Sequence, residues 1–437
     1  MFVKSGIKIT DSILVITLGC SKNIVDSERL MKQLSANSIK IEFNKENSEA
    51  RTVIINTCGF INDAKKESID TIIKYIHDKR NHKIDNLYVI GCLSERYASI
   101  LRYELPEVDR FFGVKNIKEV VESLGFHFKN ELIGERFLST PSHYAYLKIS
   151  EGCNRKCSFC AIPIIRGKYK SFLIDDLIEE TCKLVENGVK EIILIAQDIS
   201  YYGKDLYNNY QLSYLVKKIC DIQGIEWVRL HYAYPLGFPL DILNLMNENS
   251  KMCKYIDLPI QHISDRILKK MRRGLNKQKT IKLIENIRKI VPGIAIRTTL
   301  LTGHPGETEK DFYELEEFVK DARFERLGIF TYSNEENTYS AKHFKNSIPE
   351  KIKLQRANNI MAIQQKISLE INQNRIDKNY KIIIDRFENE YIGRTEFDSP
   401  EVDNEVYLKS KKPLKIGNFY QVKIIGASEF DLIAVTN

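Results

Sequence analysis

No stretch of this sequence approaches the roughly 20 consecutive apolar residues of a membrane span. The opening MFVKSGIKITDSILVITLGC also lacks the uncharged apolar core of a secretory signal. Both absences argue against a membrane association and for a cytosolic protein. Low-complexity tracts are missing as well, and 43% hydrophobic with 28% charged residues is the balance of a globular chain, which excludes a disordered or fibrous one. Nor is there an even set of cysteines to suggest a disulfide framework. Nine is an odd number in a chain expected to meet a reducing compartment, so their spacing is read for metal or redox chemistry. The net charge of +8 is mild and fits a nucleic-acid or ribosomal partner as well as it fits a solvated surface of mixed sign.

What is present is a long α/β pattern. At 437 residues the chain has room for two to four domains. From residue 13, ILVITLGC, TVIINTCG and LYVIGC read as buried parallel strands, with amphipathic helical stretches such as Asp26 to Leu34 and Asp63 to Ile76 between them. This predicts a doubly wound α/β domain over 9–128, followed by a less patterned linker near 134–144. Six further strand-like runs begin at YAYLKIS (144–150) and end at LGIFTYS (327–333), separated by helical patterns at βα spacing, which predicts a partial (β/α)6-type barrel within 139–372. After the helical stretch Pro349 to Asn372, closely spaced strands predict a small antiparallel β-barrel over 373–437. That last segment is acidic in part: Asp385 to Glu405 holds 8 acidic and 2 basic residues, net −6.

Two cysteine constellations carry the chemistry. In EGCNRKCSFCAIP, Cys153, Cys157 and Cys160 form a CxxxCxxC run after a predicted barrel strand. Three thiolates in one short loop can hold three irons of a cubane and leave the fourth iron open to chelate S-adenosylmethionine. Zinc would need a fourth ligand, and the nearest candidates, His143 and Cys182, are remote in sequence. The second set is Cys20, Cys58 and Cys92. If their runs are neighbouring parallel strands, all three thiols fall at the carboxyl edge of one sheet, where α/β folds place their sites. Cys182, Cys220 and Cys253 sit in apolar settings and read as core.

With these motifs, and with TLGCSKNIVDSE (17–28), KISEGCNRKCSFCAIPIIRGK (148–168), AQDISYYG (196–203), RLHYAYP (229–235) and DLPIQHISDRILKKMRRG (257–274), the sequence resembles the methylthiotransferase family of radical S-adenosylmethionine enzymes over nearly its whole length. Within that family it is similar to the branch that acts on a β-carbon of an aspartate in the twelfth protein of the small ribosomal subunit. Relatives that modify an adenosine of the tRNA anticodon loop usually carry a Gln-Met pair where this chain has Ser21 and Lys22, and a Ser-Ser-His-Pro-like stretch where it has HYAYP. The tRNA reaction is the rival reading.

The resemblance implies the following. Cys153, Cys157 and Cys160 would ligate a radical-generating 4Fe-4S cluster, and Cys20, Cys58 and Cys92 an auxiliary 4Fe-4S cluster that carries or binds sulfur. Phe159 would flank the adenine of S-adenosylmethionine. Gln197, Asp198, Gln261, His262 and Thr299, with Thr302, would lie at the barrel mouth beside cofactor or substrate. The C-terminal barrel would be a TRAM domain, and its acidic stretch would meet a basic ribosomal protein rather than RNA phosphates. An electron donor such as flavodoxin or ferredoxin is implied, while the sulfur donor is left open. The GHPGET turn (303–308) reads, apart from any ligand, as a strand-to-helix cap at Glu307 or Thr308. The basic run Arg266 to Lys279 reads first as a solvated helix face.

Overall fold

The computed structural model describes residues 12–436; residues 9–11 and Asn437, at the ends of the expected first and last domains, lie outside it. The chain forms two compact units. One runs to Ser139 and takes in Glu151–Cys153 and Ala161–Lys168, and the other comprises Thr140–Ser150, Asn154–Cys160 and the chain from Tyr169 onward.

The first unit is built on parallel strands β1 (Ser12–Thr17), β2 (Lys40–Phe43), β3 (Thr52–Thr57), β4 (Asn86–Gly91) and β5 (Arg110–Phe111), in sheet order β2-β1-β3-β4-β5. Helices α1 (Ser21–Ser35), α2 (Asn62–Arg80) and α3 (Cys92–Glu104) alternate with them. Ile13 and Val15 pack with Leu30 and Met31 of α1, whereas Leu14, Val53 and Ile55 pack with Ile72 and Leu87. Successive side chains thus enter two cores on opposite faces, which is why β1, β3 and β4 carry unbroken apolar runs through their middles. The edge strands β2 and β5 escape the sequence pattern because KIEF is half polar and Arg110–Phe111 is only two residues long.

In the second unit six parallel strands, β6 (Tyr144–Lys148), β7 (Glu191–Ile195), β8 (Trp227–Leu230), β9 (Met252–Asp257), β10 (Ala295–Thr302) and β11 (Arg326–Thr331), lie side by side in chain order as an open barrel wall. Helices follow each strand: α4 (Ile174–Glu186), α5 (Leu212–Cys220), α6 (Asp241–Glu248), α7 (Lys277–Ile290), α8 (Glu309–Ala322) and α9 (Glu350–Gln373). The GHPGET turn caps α8, with Thr308 and Asp311 making reciprocal capping-box bonds.

The C-terminal strands β12 (Asn379–Phe387), β13 (Tyr391–Thr395), β14 (Val406–Lys409), β15 (Phe419–Ala427) and β16 (Leu432–Thr436) close into a five-stranded barrel. It is antiparallel except at one seam, where β14 and β16 pair in parallel. This small barrel packs on the amino-terminal ends of the larger barrel's strands, through Trp227, Tyr255 and Ala295 against Ile383, Phe397 and Phe419.

The acidic stretch does not have the role the sequence suggested. Asp398 is 1% exposed and accepts from the Nε of Arg326 at 2.8 Å. Asp403 accepts from the hydroxyl of Tyr255 at 2.7 Å and the Nε of Arg297 at 3.2 Å. Glu396 accepts from the backbone N–H of Lys254 at 3.1 Å, and Glu401 from the hydroxyls of Tyr144 and Tyr146 at 3.3 and 3.4 Å. Asp385 bonds Arg394 and His143 at 2.6 and 2.8 Å, and Arg394 in turn donates to Glu191 at 2.8 Å. These carboxylates therefore fasten the small barrel to basic and hydroxyl groups at the strand beginnings. They are an internal seam, at the opposite end of the barrel wall from the strand mouths, rather than a face for a basic partner.

Candidate radical and sulfur-transfer site

In the first unit the three separate cysteines reach the carboxyl edge of one sheet. Cys20 is the N-cap of α1 with extended backbone, Cys58 follows β3 directly, and Cys92 is the first residue of α3 after β4. Helix N-termini favour thiolates, so two of the three begin with that help. The approach is close. Gly19 has φ +90°, and a side-chain carbon there would sit 2.7 Å from the Cβ and 3.0 Å from the sulfur of Cys58, so only glycine fits between the two cysteines.

Arg166 projects into this group. It is 2% exposed, and its Nη2 donates to Asn23 Oδ1 at 2.7 Å and to the sulfur of Cys92 at 3.4 Å. Its Nη1 pairs with Asp26 at 3.0 Å and Glu151 at 3.1 Å. Burial opposes ionisation of Cys20, yet Lys22 and Arg166 outweigh it and pull that thiol below its ordinary value. Burial wins at the other two, pushing Cys58 up and Cys92 up to about 12, with Arg166 opposing the rise at both. Among the described residues no three His, Cys, Asp or Glu side chains stand close enough to hold a single metal ion. A cubane gives each cysteine its own iron and so wants its sulfurs further apart. An all-thiol group with a cationic donor at one sulfur fits that donor set.

The CxxxCxxC loop is anchored from several sides. Gly152 takes φ +75°, which brings Cys153 N–H to Gly167 O at 3.1 Å. In the second unit, Ser158 N–H donates to Met271 O at 2.9 Å, and Ser158 O accepts from Ser340 N–H at 2.7 Å. The Ser158 hydroxyl accepts from that of Ser340 at 2.9 Å and lies 3.4 Å from Nε2 of His304. Burial drives His304 down to about 4, so it is neutral at pH 7. The sulfur of Cys157 receives Arg273 Nη1 at 3.3 Å and lies 3.6 Å from the hydroxyl of Tyr234. The Tyr234 ring is sandwiched between the guanidinium groups of Arg155 and Arg273, at 4.1 and 4.2 Å.

The other residues singled out in the sequence divide into two groups. Phe159 packs against Ile267, Met271, Leu301 and Tyr332 beside the loop. Gln197 and Gln261 lie just beyond the carboxyl ends of β7 and β9, Thr299 lies within β10, and Gln261 is held in a left-handed conformation (φ +76°) by backbone bonds to Thr299 and Leu301. Asp198 is already engaged, with Arg155 Nε at 2.7 Å and Ser200 N–H at 3.0 Å. His262 is buried and uses Nδ1 to accept from the N–H groups of Ile263 and Ser264, with Nε2 3.5 Å from Glu307. Thr302 is buried, and its hydroxyl points to the carbonyls of Phe330 and Lys353. Asp198, His262 and Thr302 thus shape the mouth from behind. Cys220 and Cys253 are buried and Cys182 is half-buried, away from both groups. Sequence reasoning missed Arg166 and Arg273. For Arg166 the available signal was a single cation inside the apolar stretch AIPIIRG; Arg273 sits among the five cations of RILKKMRRG, where nothing in the sequence sets it apart.

Comparison with known proteins agrees with this layout. Family profiles match the uncharacterized protein family UPF0004 at residues 12–113, the radical SAM superfamily at 147–319 and the TRAM domain at 376–436. The chain is 53% identical over 97% of its length to the ribosomal protein uS12 methylthiotransferase RimO of Phocaeicola vulgatus, covering 99% of that protein. It is 54% identical to the protein of the same name from Cytophaga hutchinsonii, over 96% of each chain. Among solved structures, the radical S-adenosylmethionine methyltransferase TsrM of Kitasatospora setae aligns with TM-score 0.53 and 13% identity, over 74% of this chain and 75% of that one, a likeness of fold.

Proposed function

The chain belongs to the RimO family of ribosomal protein uS12 methylthiotransferases, and from that membership we propose that it adds a methylthio group to the β-carbon of an aspartate of uS12. Near-full-length identity above half carries this reading. The tRNA rival is set aside on that identity and not on the charge of the TRAM barrel, several of whose acids, Asp398 and Asp403 among them, are engaged at the joint with the larger barrel.

We assign Cys153, Cys157 and Cys160 to a radical 4Fe-4S cluster and Cys20, Cys58 and Cys92 to an auxiliary one. With S-adenosylmethionine these groups supply the one-electron chemistry needed at a C–H bond that no protein acid or base ionises at neutral pH. The chain's own residues do the rest. Ser158, through Met271, Ser340 and His304, fixes the cysteine loop against the barrel wall. Phe159 offers an apolar ring beside that loop for an adenine, and Gln197 and Gln261, just beyond the strand ends, and Thr299, within β10, offer polar groups for cofactor or substrate. The capped turn after β10 and the buried His262–Glu307 pair keep the mouth's backbone rigid, so that water and stray hydrogen donors are kept from the reacting carbon. The protein works in the cytoplasm with uS12, free or in the ribosomal particle, and draws electrons from a carrier such as flavodoxin or ferredoxin.

The test is mass spectrometry after anaerobic incubation of reconstituted protein with S-adenosylmethionine, reductant, a sulfide source and either uS12 or a tRNA anticodon stem-loop. The proposal expects a methylthio adduct on an aspartate of uS12 and none on the RNA. The opposite pattern overturns it.

A further inference from the structure

Each cysteine group has one buried arginine that donates to one of its sulfurs. In the first unit Arg166 divides its guanidinium: Nη1 is occupied by Asp26 and Glu151 at 3.0 and 3.1 Å, and Nη2 is turned to Asn23 and to Cys92 at 3.4 Å. In the second unit Arg273, 6% exposed, gives Nη1 to Cys157 at 3.3 Å and Nη2 to the carbonyl of Pro259, with its plane against Tyr234. A buried guanidinium is a fixed charge that cannot be deprotonated. Beside a ligand sulfur it favours the state carrying more negative charge, and hydrogen bonds to ligand sulfurs and net charge are two of the levers that set an iron-sulfur potential.

We infer that Arg166 and Arg273 are positioning residues that independently raise the reduction potentials of the auxiliary and radical clusters, each acting on the cysteine it touches. The inference rests on the ligand assignment proposed above. Its physical content is selectivity. The two arginines touch different cysteine groups, so each should move one potential and leave the other alone. Their surroundings differ too. Arg166 is tempered by two carboxylates, so removing one of these should strengthen its field on Cys92.

The experiment is a redox titration of anaerobically reconstituted full-length chain, followed by electron paramagnetic resonance. One cluster is isolated at a time by placing the arginine variants in a Cys153/Cys157/Cys160→Ala or a Cys20/Cys58/Cys92→Ala background. Arg166→Met should lower the auxiliary potential by a tenfold or greater change in the reduced-to-oxidised ratio, 59 mV for a one-electron couple, and leave the radical cluster unmoved. Arg273→Met should do the reverse. Arg166→Lys and Arg273→Lys, which keep the charge, should recover part of each shift. Asp26→Asn, a milder change, should move the auxiliary potential upward. Iron bound with potentials unmoved, equal shifts in both clusters, or a downward shift in Asp26→Asn would overturn the inference while leaving the ligand assignment intact. Wild-type chain that binds no iron would overturn both.

Discussion

Replacing Asp398 by alanine tests the reassignment of the acidic stretch most sharply. Asp398 is 1% exposed and Arg326 4%. The carboxylate meets Arg326 through one oxygen and the hydroxyl of Thr395 through the other, at 2.6 Å. Alanine would leave the Arg326 guanidinium buried without that counter-charge, a change that costs about 3–5 kcal/mol. An exposed pair such as Arg386–Glu388, with side chains 41% and 63% exposed, is by contrast worth about 0–1 kcal/mol, so Glu388→Ala is the control. Replacing both charges of the buried pair by apolar residues of similar volume, Asp398→Leu with Arg326→Met, should return part of the loss, because the Arg326 charge leaves with its partner while buried Arg375 still loses the Asp398 carboxylate. Urea denaturation followed by circular dichroism measures all four proteins. A carboxylate that instead served to bind a basic partner would leave unfolding untouched and weaken binding only. A loss under 1 kcal/mol in Asp398→Ala would refute the claim that this segment is an internal seam.

Three further outcomes follow from the same geometry. A side-chain carbon at Gly152 would stand 2.2 Å from the carbonyl oxygen of Lys168 and 2.6 Å from that of Gly167; Gly152→Ala should displace the backbone of Cys153 and lower iron content on reconstitution, read by colorimetric iron assay, with the far-UV spectrum unchanged. Burial would raise the pKa of Asp385, but Arg394 and His143 hold it down to about 2. Against an unfolded value of about 3.9 its stabilisation is complete above pH ~5 and is lost as pH falls through 2; Asp385→Asn should therefore cost about 2–3 kcal/mol at pH 7 and flatten the acid limb of a stability-against-pH curve. Ser340→Ala removes a hydroxyl donor from Ser158 and a partner 3.1 Å from His304 Nε2, and a loss of about 1 kcal/mol in urea melts, with a raised KM for S-adenosylmethionine, is expected if this link holds the cysteine loop.

Much of the architecture was legible because burial on both sheet faces writes itself as unbroken apolar runs, and every such run named in the sequence is a strand. Strands β2 and β5, which the sequence pattern missed, are short and lie at the sheet edges, where one neighbour is enough and polar residues are tolerated. The cysteines were legible for a related reason: strand ends fix where side chains emerge, so the apolar runs alone put Cys20, Cys58 and Cys92 at one edge. Charge was not. A run of acids looks the same in sequence whether it faces water or the arginines of a neighbouring barrel. Only the fold brings Arg297 and Arg326, about 70 to 100 residues away in the chain, to Asp403 and Asp398. Arg166 and Arg273 escaped for the same reason, since a buried cation beside a thiol has no spacing signature.

The division of labour between the two cysteine groups is the centre of this account, and a paired assay on one variant addresses it directly. In Cys20/Cys58/Cys92→Ala protein, reconstituted anaerobically and supplied with S-adenosylmethionine, reductant and uS12, cleavage to 5′-deoxyadenosine and methylthiolation of uS12 are measured in the same reaction. The account predicts that 5′-deoxyadenosine still forms and that no methylthiolated uS12 appears. Methylthiolated uS12 from this variant, or the loss of 5′-deoxyadenosine along with it, would contradict the account.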